Sequence, residues 1–342
     1  MARFLIRRVL QAILVLILMT ITIYLIFFLG PGPQFVARVL AGKSATQAQV
    51  NAIAAQYYLN KPWYVSYGHY VWGLLHGNFG NDYYNNVSVS HEIVQAFPIT
   101  LSIVIGAAVL WMLMGLSTGI LSAVRTRSFL DRFFTTQALF FYSMPTFVLG
   151  LLLILVFYYV LSTNGVSIFP APGAWTSFTT NPGAWARDLI LPWFTLALVS
   201  AATYTRLTRG AMLDVFGEDY IRTARSKGMS ERRLVLRHNL RASLTPVVTQ
   251  FGLDVGVLLG GVILTEQVFS LPGLGWTAVH AIQSQDLPLI MGIVLLASTA
   301  VVVANLVVDI FYAVLDPRVR LRPLEAKLVG AFACLRYEVV KD

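Results

Sequence analysis

The chain reads as an all-α, polytopic membrane protein, and three observations carry that reading. Of its 342 residues, 57% are apolar and only 12% are charged, about half the ~25% charged content of an average soluble domain. The apolar residues gather in six runs of roughly 20, the length that crosses a ~30 Å hydrocarbon core as a helix. The cations concentrate in alternate connecting segments, as a membrane topology requires. At roughly 150 residues per domain the length alone would fit two soluble domains, but the polar surface for them is missing.

The six runs are residues 9–29, 99–124, 134–161, 189–207, 247–265 and 287–314. The first could be a secretory signal, since Arg3, Arg7 and Arg8 precede it. Its apolar run exceeds the 7–15 residues of a signal h-region, and Val39-Leu40-Ala41 is a poor cleavage site, so it reads as an uncleaved anchor.

An even number of spans places both termini on one side. Three arginines precede the first span, and Arg125, Arg127 and Arg132 fill the loop after the second. Nine cations lie between spans four and five, counting Arg206 and Arg209, and six follow the last span. Twenty-one of the 25 Lys and Arg residues thus share one side, leaving Arg38, Lys43, Lys61 and Arg187 for the other. The excess marks the cytoplasm. It also accounts for the net charge of +9 without nucleic acid. The single cysteine, Cys334, excludes an intrachain disulfide, and five scattered histidines exclude a Cys/His zinc cluster.

The external segments differ in character. Residues 30–98 are numerous enough to fold. Thr46-Gln47-Ala48-Gln49 has the form of a capping box, and Val50, Ile53, Ala54 and Tyr57 mark one apolar helix face. Asn60-Lys61-Pro62 ends that helix, because the residue before a proline is pushed out of the α region. Trp63, Tyr64, Tyr67, Tyr70 and Trp72 follow, a density that suits anchoring in a membrane interface. Residues 162–188, rich in Gly and Pro, read as a loop, and residues 266–286 form the third external segment.

Enzyme signatures are missing. Gly42-Lys43-Ser44 looks like the end of a phosphate-binding loop, but the required earlier glycine is Ala37. No other Gly-Lys-Ser/Thr, no His/Glu metal spacing and no Gly-x-Ser-x-Gly elbow occurs. The chain is not expected to hydrolyse ATP or to hold a cofactor or metal.

The most informative stretch runs from Glu218 to Arg233. Glu218 and Asp219 open it, Arg222, Arg225 and Lys227 close it, and Gly228 follows. That is a short helix with its dipole matched at both ends and a glycine stop. Ser230 can cap a second helix, with Arg233 and Arg237 four residues apart. Two such helices between membrane spans are either solvated connectors or a docking surface for a cytoplasmic partner.

This stretch resembles the EAA loop of ABC-importer permeases. Arg222-Thr223-Ala224 stands for Glu-Ala-Ala, Gly228 follows at the right spacing, and His238-Asn239-Leu240-Arg241 comes nine residues later. The departures from the general pattern fit the B-type permeases of dipeptide/oligopeptide importers. Matches to that branch continue in Asn60-Lys61-Pro62, Gly77-Asn78-Phe79-Gly80, Ser143-Met144-Pro145-Thr146-Phe147, Leu207-Thr208-Arg209, Gly260-Gly261 with Glu266 and Phe269, Pro272-Gly273-Leu274-Gly275 and Asp309 to Arg318. Asn60 replaces a frequent Asp.

The resemblance covers about residues 1–322. It implies an N-terminal transmembrane helix (1–30), an external segment (31–98), a permease core (99–322) with its coupling loop at 218–241, and a cytoplasmic tail (323–342). It further implies a prokaryotic inner-membrane protein that pairs with a homologous C-type permease, two cytoplasmic ATPases that bind ATP and Mg, and an external substrate-binding protein. Asp219, Tyr220, Arg222, Thr223, Ala224, Arg225, Lys227 and Gly228 would then couple the chain to an ATPase. Peptide is the implied substrate, and relatives carry nickel, glutathione or oligosaccharides.

Polar residues inside the spans complete the reading. Gly252-x3-Gly256-x3-Gly260 and Gly115-x3-Gly119 are small-residue patterns that let helices approach closely. Gln250, Asp254, Gly261 and Thr265 form another stripe on the fifth span, and Ser298, Asn305 and Asp309 one on the sixth. A carboxylate at the bilayer centre costs roughly 2.5–3.5 kcal/mol, so it faces a cavity or a partner. Asp254 is expected to line a translocation pathway with Gln250, Gly261, Thr265, Ser298 and Asn305, or to be a structural partner. Asp309, nearer the cytoplasmic edge, is expected to pair with Arg206 or Arg209.

Two other classes compete. An ion-coupled secondary transporter would carry ion ligands on broken helices and would leave the EAA-like loop unexplained. A membrane scaffold without a transport role would leave Asp254 and the polar stripes unexplained.

Overall fold

The computed structural model describes residues 2–42, 45–82, 87–259 and 262–315. Among them, six helices are long and apolar enough to cross a membrane: Ile6–Phe28, Val89–Val124, Thr146–Thr163, Pro182–Phe216, Glu231–Leu259 and Leu287–Val307.

Helix α1 (Ala2–Tyr24) widens into a π-helical turn at Leu25–Leu29. Outside it lie three short helices, α2 (Pro33–Ala41), α3 (Gln47–Gln56) and α4 (Trp63–Leu75). The capping box forms at α3: the Thr46 side chain accepts from the Gln49 amide, and Gln49 Oε1 accepts from the Thr46 amide at 2.8 Å. Val50 buries against Val36, Ala37 and Leu59, with Ala54 and Tyr57 alongside. The aromatic run after Pro62 is itself a helix, α4. Trp63, Tyr64 and Trp72 face outward, whereas Tyr67 and Tyr70 turn to α1, where the Tyr67 hydroxyl bonds Thr20 at 2.9 Å.

Helix α5 (Val89–Val124) begins ten residues before the apolar run that announces it and passes through Pro98. Its extra turns bury Val89, Ile93 and Ala96 against Leu274, Ala281, Leu289 and Ile293. The run at 134–161 is not one helix. Helix α6 (Phe129–Ser143) stops before Pro145, with Met144 extended at φ −85°, ψ 128°, as the residue before a proline must be. Helix α7 (Thr146–Leu153) then continues through a π-helical stretch, Ile154–Val160, into α8 (Leu161–Thr163).

Helix α9 (Pro182–Phe216) is capped by Asn181, whose side chain accepts from the Gly183 and Ala184 amides at 3.1 Å. The loop expected at 162–188 is therefore helical at both ends. Helices α5 and α9 form the most extensive pair in the bundle. A Cβ at Gly115 would lie 2.4 Å from Tyr204 Cβ, and one at Gly119 would lie 2.7 Å from Thr208 Cβ. The predicted small-residue pair is thus what lets α9 seat against α5, with Trp111 and Tyr204 fully buried between them.

Helix α10 (Asp219–Ser226) is followed by α11 (Glu231–Arg233), a π-helical turn at Leu234–Asn239 and α12 (Leu240–Leu259), these last three being continuous. The stripe expected to run unbroken from Gln250 to Thr265 is interrupted. The helix is described to Leu259, and Val262 is not helical at φ −93°, ψ 56°, so that α13 (Ile263–Val268) starts anew beyond it. Helices α14 (Leu274–Ser284) and α15 (Leu287–Leu315) complete the fold. Gly256 places α12 on α15, since a Cβ there would meet Ala304 Cβ at 3.1 Å.

Candidate functional site

Two regions carry the predicted chemistry, the short helix α10 outside the spans and the polar group on α12 within them. Clamps between helices hold both in place.

Helix α10 has the predicted geometry. Glu218 is its N-cap residue, Asp219 lies in the first turn and Arg225 in the last. Gly228 sits at φ +75°, where a side chain would be strained, and its amide closes on the Arg225 carbonyl at 3.0 Å. Ile221, 0% exposed, anchors the helix, which packs on α9 and on the π-helical turn. Asp219, Tyr220, Arg222, Thr223, Arg225, Lys227 and Gly228 are exposed and Ala224 is half-buried. Arg225 is occupied: its Nε and Nη2 donate to the two carboxylate oxygens of Glu231 at 2.7 and 3.1 Å. Ser230 stands at the N-cap of α11, but its side chain makes no capping bond.

The root of α12 is fastened to α9. The fully buried Asn239 donates through Nδ2 to the Met212 carbonyl at 3.0 Å, and Ser243 Oγ bonds the Asn239 side chain at 3.0 Å and reaches the Ala211 carbonyl at 3.3 Å. These bonds join the start of α12 to α9, the helix on which α10 also packs.

Three turns further along α12, Gln250 and Asp254 come together. Gln250 Nε2 donates to Asp254 Oδ1 at 2.8 Å, and the Tyr204 hydroxyl donates to Asp254 Oδ2 at 2.7 Å. Asp254 is half-buried, and both of these partners are neutral. Among the described residues, Thr265, Ser298 and Asn305 are not bonded to them. Thr265 lies in α13, buried beyond the helix break. Ser298 bonds its own helix at the Val294 carbonyl, 2.8 Å away. Asn305 stands at the α12–α15 crossing, near Gly256. Gly261 and the side chain of Asp309 lie outside the described residues.

Arg209 has a carboxylate partner other than the expected Asp309. Its Nε and Nη2 donate to Asp131 Oδ1 and Oδ2 at 2.8 and 3.1 Å. Ser122 also donates to Asp131, as does the Arg127 amide at 2.9 Å. The Arg209 guanidinium, helped by the other donors, holds the Asp131 carboxyl well below the usual carboxylate range. Arg206 lies over the Tyr142 ring, 5.4 Å from its centroid. Arg209 thus takes a carboxylate from α6, whose first turn lies against α9; the pairing expected with Asp309 falls on a side chain outside the described residues.

A second clamp sits at the other end of α5. Glu266, fully buried, accepts from Thr100 at 2.6 Å and from the Trp276 amide at 2.7 Å, while Thr100 accepts from the Leu274 amide at 2.8 Å. A carboxylate at the start of α14 suits the helix dipole. Burial nevertheless pushes its carboxyl above the ordinary value, against those donors. Thr100 and Ser122 are twenty-two residues apart on α5, about 33 Å at 1.5 Å per residue, so the two clamps grip opposite ends of the bundle.

The family profile described as the binding-protein-dependent transport system inner membrane component matches residues 115–321, and the N-terminal profile of such components matches residues 1–104. The chain belongs to this family. The permease is 36% identical over 320 residues to the probable peptide ABC transporter permease protein y4tP of Sinorhizobium fredii, covering 94% of this chain and 100% of that one. It is 35% identical over 343 residues to the dipeptide transport system permease protein DppB of Escherichia coli, covering 94% and 99%. It is 37% identical over 320 residues to the glutathione transport system permease protein GsiC of Salmonella typhimurium, again covering 94% and 99%. The permease is a multi-pass membrane protein, and its relatives are transport components.

Sequence reasoning missed Tyr204, Asp131 and the Thr100–Glu266 pair of this permease. Only Asp131 left a local signal: Ser128 caps α6 by accepting from the Asp131 amide at 3.3 Å, the start of a capping pattern.

Proposed function

We propose that the chain is the permease subunit of an ATP-driven importer that moves di- or oligopeptides into the cytoplasm by alternating access. It would act with a second, homologous permease, two cytoplasmic ATPases that bind ATP and Mg, and an external binding protein that delivers substrate. The observation that carries this is α10: a short charged helix, held by one buried residue and ended by a left-handed glycine, outside the spans and packed on α9 and on the π-helical turn that leads into α12.

In this reading ATP binding closes the ATPases around α10. Asp219, Tyr220, Arg222, Thr223 and Lys227 form the docked face, and Arg225 orients it through Glu231. The displacement passes through Leu234–Asn239 to α12 and tilts the face bearing Gln250 and Asp254. The chain binds and orients substrate and makes or breaks no covalent bond. With twenty-one cations on one side, both termini and α10 lie in the cytoplasm.

Peptide is the substrate that the names of most of these relatives support, and glutathione, itself a peptide, is the second reading. Uptake in cells that depend on this permease decides between them. The proposal expects labelled dipeptide to enter and excess unlabelled dipeptide to block it. Uptake of glutathione alone would transfer the assignment to the second reading, and uptake of neither would refute both.

A further inference from the structure

Helix α4 crosses the external ends of two membrane spans. The Tyr67 hydroxyl bonds Thr20 at 2.9 Å, Tyr70 approaches Tyr24 and Phe28 at 5.8 and 5.6 Å, and Leu74 packs beside Ile23, Met291 and Leu295. Thr20 lies eight residues inside the end of the span Ile6–Phe28, about 12 Å at 1.5 Å per residue. Met291 and Leu295 lie four and eight residues inside the start of the span Leu287–Val307. The helix is therefore packed at the depth of the outermost turns of both spans, not above them.

A further side of α4 faces the turn after α3. Ser66 donates to the Tyr58 carbonyl at 2.5 Å, and His69 stacks on the Tyr58 ring at 3.7 Å. The side left over carries Tyr64, Gly68, Trp72 and Leu75, which stand at i, i+4, i+8 and i+11 and so form one stripe. Tyr64, Trp72 and Leu75 are 61%, 63% and 75% exposed. No residue of α4 is Asp, Glu, Lys or Arg, where an average soluble stretch of 13 would carry about three. Leu25 and Ile26, on the turn of α1 that α4 touches, are exposed as well. Depth decides what covers this stripe. A soluble partner would have to descend between the headgroups to reach it, whereas lipid is already there. The residue types agree: Trp and Tyr join an apolar ring to a polar group, and they collect where headgroups give way to hydrocarbon.

We infer that the stripe of Tyr64, Trp72 and Leu75 lies in the external leaflet, at the boundary of headgroups and acyl chains, and that α4 anchors the external helices to the membrane surface. The aromatic run of α4 thus divides between two tasks. Tyr67 and Tyr70 fasten the helix to α1, and Tyr64 and Trp72 meet lipid. The inference is independent of the transported substrate.

The test places the full chain in lipid nanodiscs of phosphatidylethanolamine and phosphatidylglycerol. Cys334→Ser removes the native thiol, and a nitroxide is attached at Tyr64→Cys, Trp72→Cys or Leu75→Cys in turn. Collision with molecular oxygen, which concentrates in hydrocarbon, is compared with collision with a water-soluble nickel chelate. Ile26→Cys on α1 sets the lipid-facing reference, and Lys61→Cys, exposed in the turn before α4, sets the aqueous one. The oxygen-to-nickel ratio at Tyr64, Trp72 and Leu75 should exceed that at Lys61 at least threefold and fall within twofold of that at Ile26. All three side chains are exposed, so the labelled variants should elute as the unsubstituted chain does; one that does not is replaced by Gly68→Cys on the same stripe. A ratio equal to that at Lys61 would show a stripe in water, and weak collision with both reagents would show one covered by protein. Nickel collisions lost only when loaded binding protein is added would assign the stripe to that protein. Each of these three results would overturn the inference.

Discussion

The Tyr204 hydroxyl donates to Asp254 Oδ2 at 2.7 Å, joining α9 to α12 inside the membrane. Gln250 takes the other oxygen. Asp254 is thus held by two neutral donors, neither of which brings a countercharge. We propose that Asp254 sets the field along a pathway and that Tyr204 is its positioning residue.

Asp254→Asn should lower uptake of cationic dipeptides about tenfold and should not lower that of anionic ones, on which the same charge acts with the opposite sign. One charge acting at about 12 Å through an effective dielectric of ~20 contributes ~1.4 kcal/mol, which is that factor. Binding-protein affinity should not change. Asp254→Leu should impair both classes, because it also removes the acceptor for Tyr204 and Gln250. Uptake of both classes at the wild-type rate by Asp254→Asn would discard the field; failure of that variant to assemble with the second permease would make Asp254 a structural partner.

Asp131→Asn should destabilise the permease by roughly 2–3 kcal/mol, below the cost of breaking a fully buried pair because Arg209 is partly exposed. The pH dependence has a definite sign. The folded carboxyl is held below its unfolded value near 3.9. Its contribution is thus fully present above about pH 4 and lost as pH falls toward the folded value. Melting temperatures from pH 7 down to pH 3 should fall more steeply below pH 4 in wild type than in Asp131→Asn. Parallel curves would remove Asp131 from the account.

Gly273→Ala should loosen the external end. A Cβ there would lie 2.5 Å from the Glu266 carboxyl carbon and 2.7 Å from Thr100 Oγ1, an overpacking that costs about 1–3 kcal/mol. Amide exchange across residues 262–286 should accelerate, with exchange at α10 unchanged. Glu266→Gln should do the same more mildly, since it keeps an oxygen for Thr100 but turns an amide toward the Trp276 N–H.

A reporter fused after Lys341 should be cytoplasmic, and one inserted at Asn85 external. Both on one side would refute the six-span topology that the cation distribution supports.

Local features were legible in the sequence because their signals are local. The Thr46–Gln49 box, the Gly228 stop and the Gly115–Gly119 approach each depend on residues within one or two turns. The break in the third apolar run also had a local cause, Pro145, but continuous apolarity outweighs a single breaker when hydropathy is averaged. The clamps were hidden for another reason. Asp131 and Arg209 are separated by 78 residues, and Thr100 and Glu266 by 166. No periodicity links positions on different helices, so Arg209 could not be matched to its carboxylate before the helices were packed. Tyr204 was similarly silent, since a tyrosine in an apolar run says only that its hydroxyl needs a partner.

The central claim is that α10 carries the ATPase state into the spans, and substrate-stimulated ATP hydrolysis tests it most directly. Gly228→Pro cannot adopt the φ of +75° that ends α10 and removes the amide bonded to Arg225. The complex should assemble, because Gly228 is exposed and outside the spans. In the assembled variant, loaded binding protein should no longer stimulate ATP hydrolysis above the basal rate, and uptake should be lost with it. Full stimulation in a well-assembled Gly228→Pro complex would contradict the account and leave α10 a solvated connector.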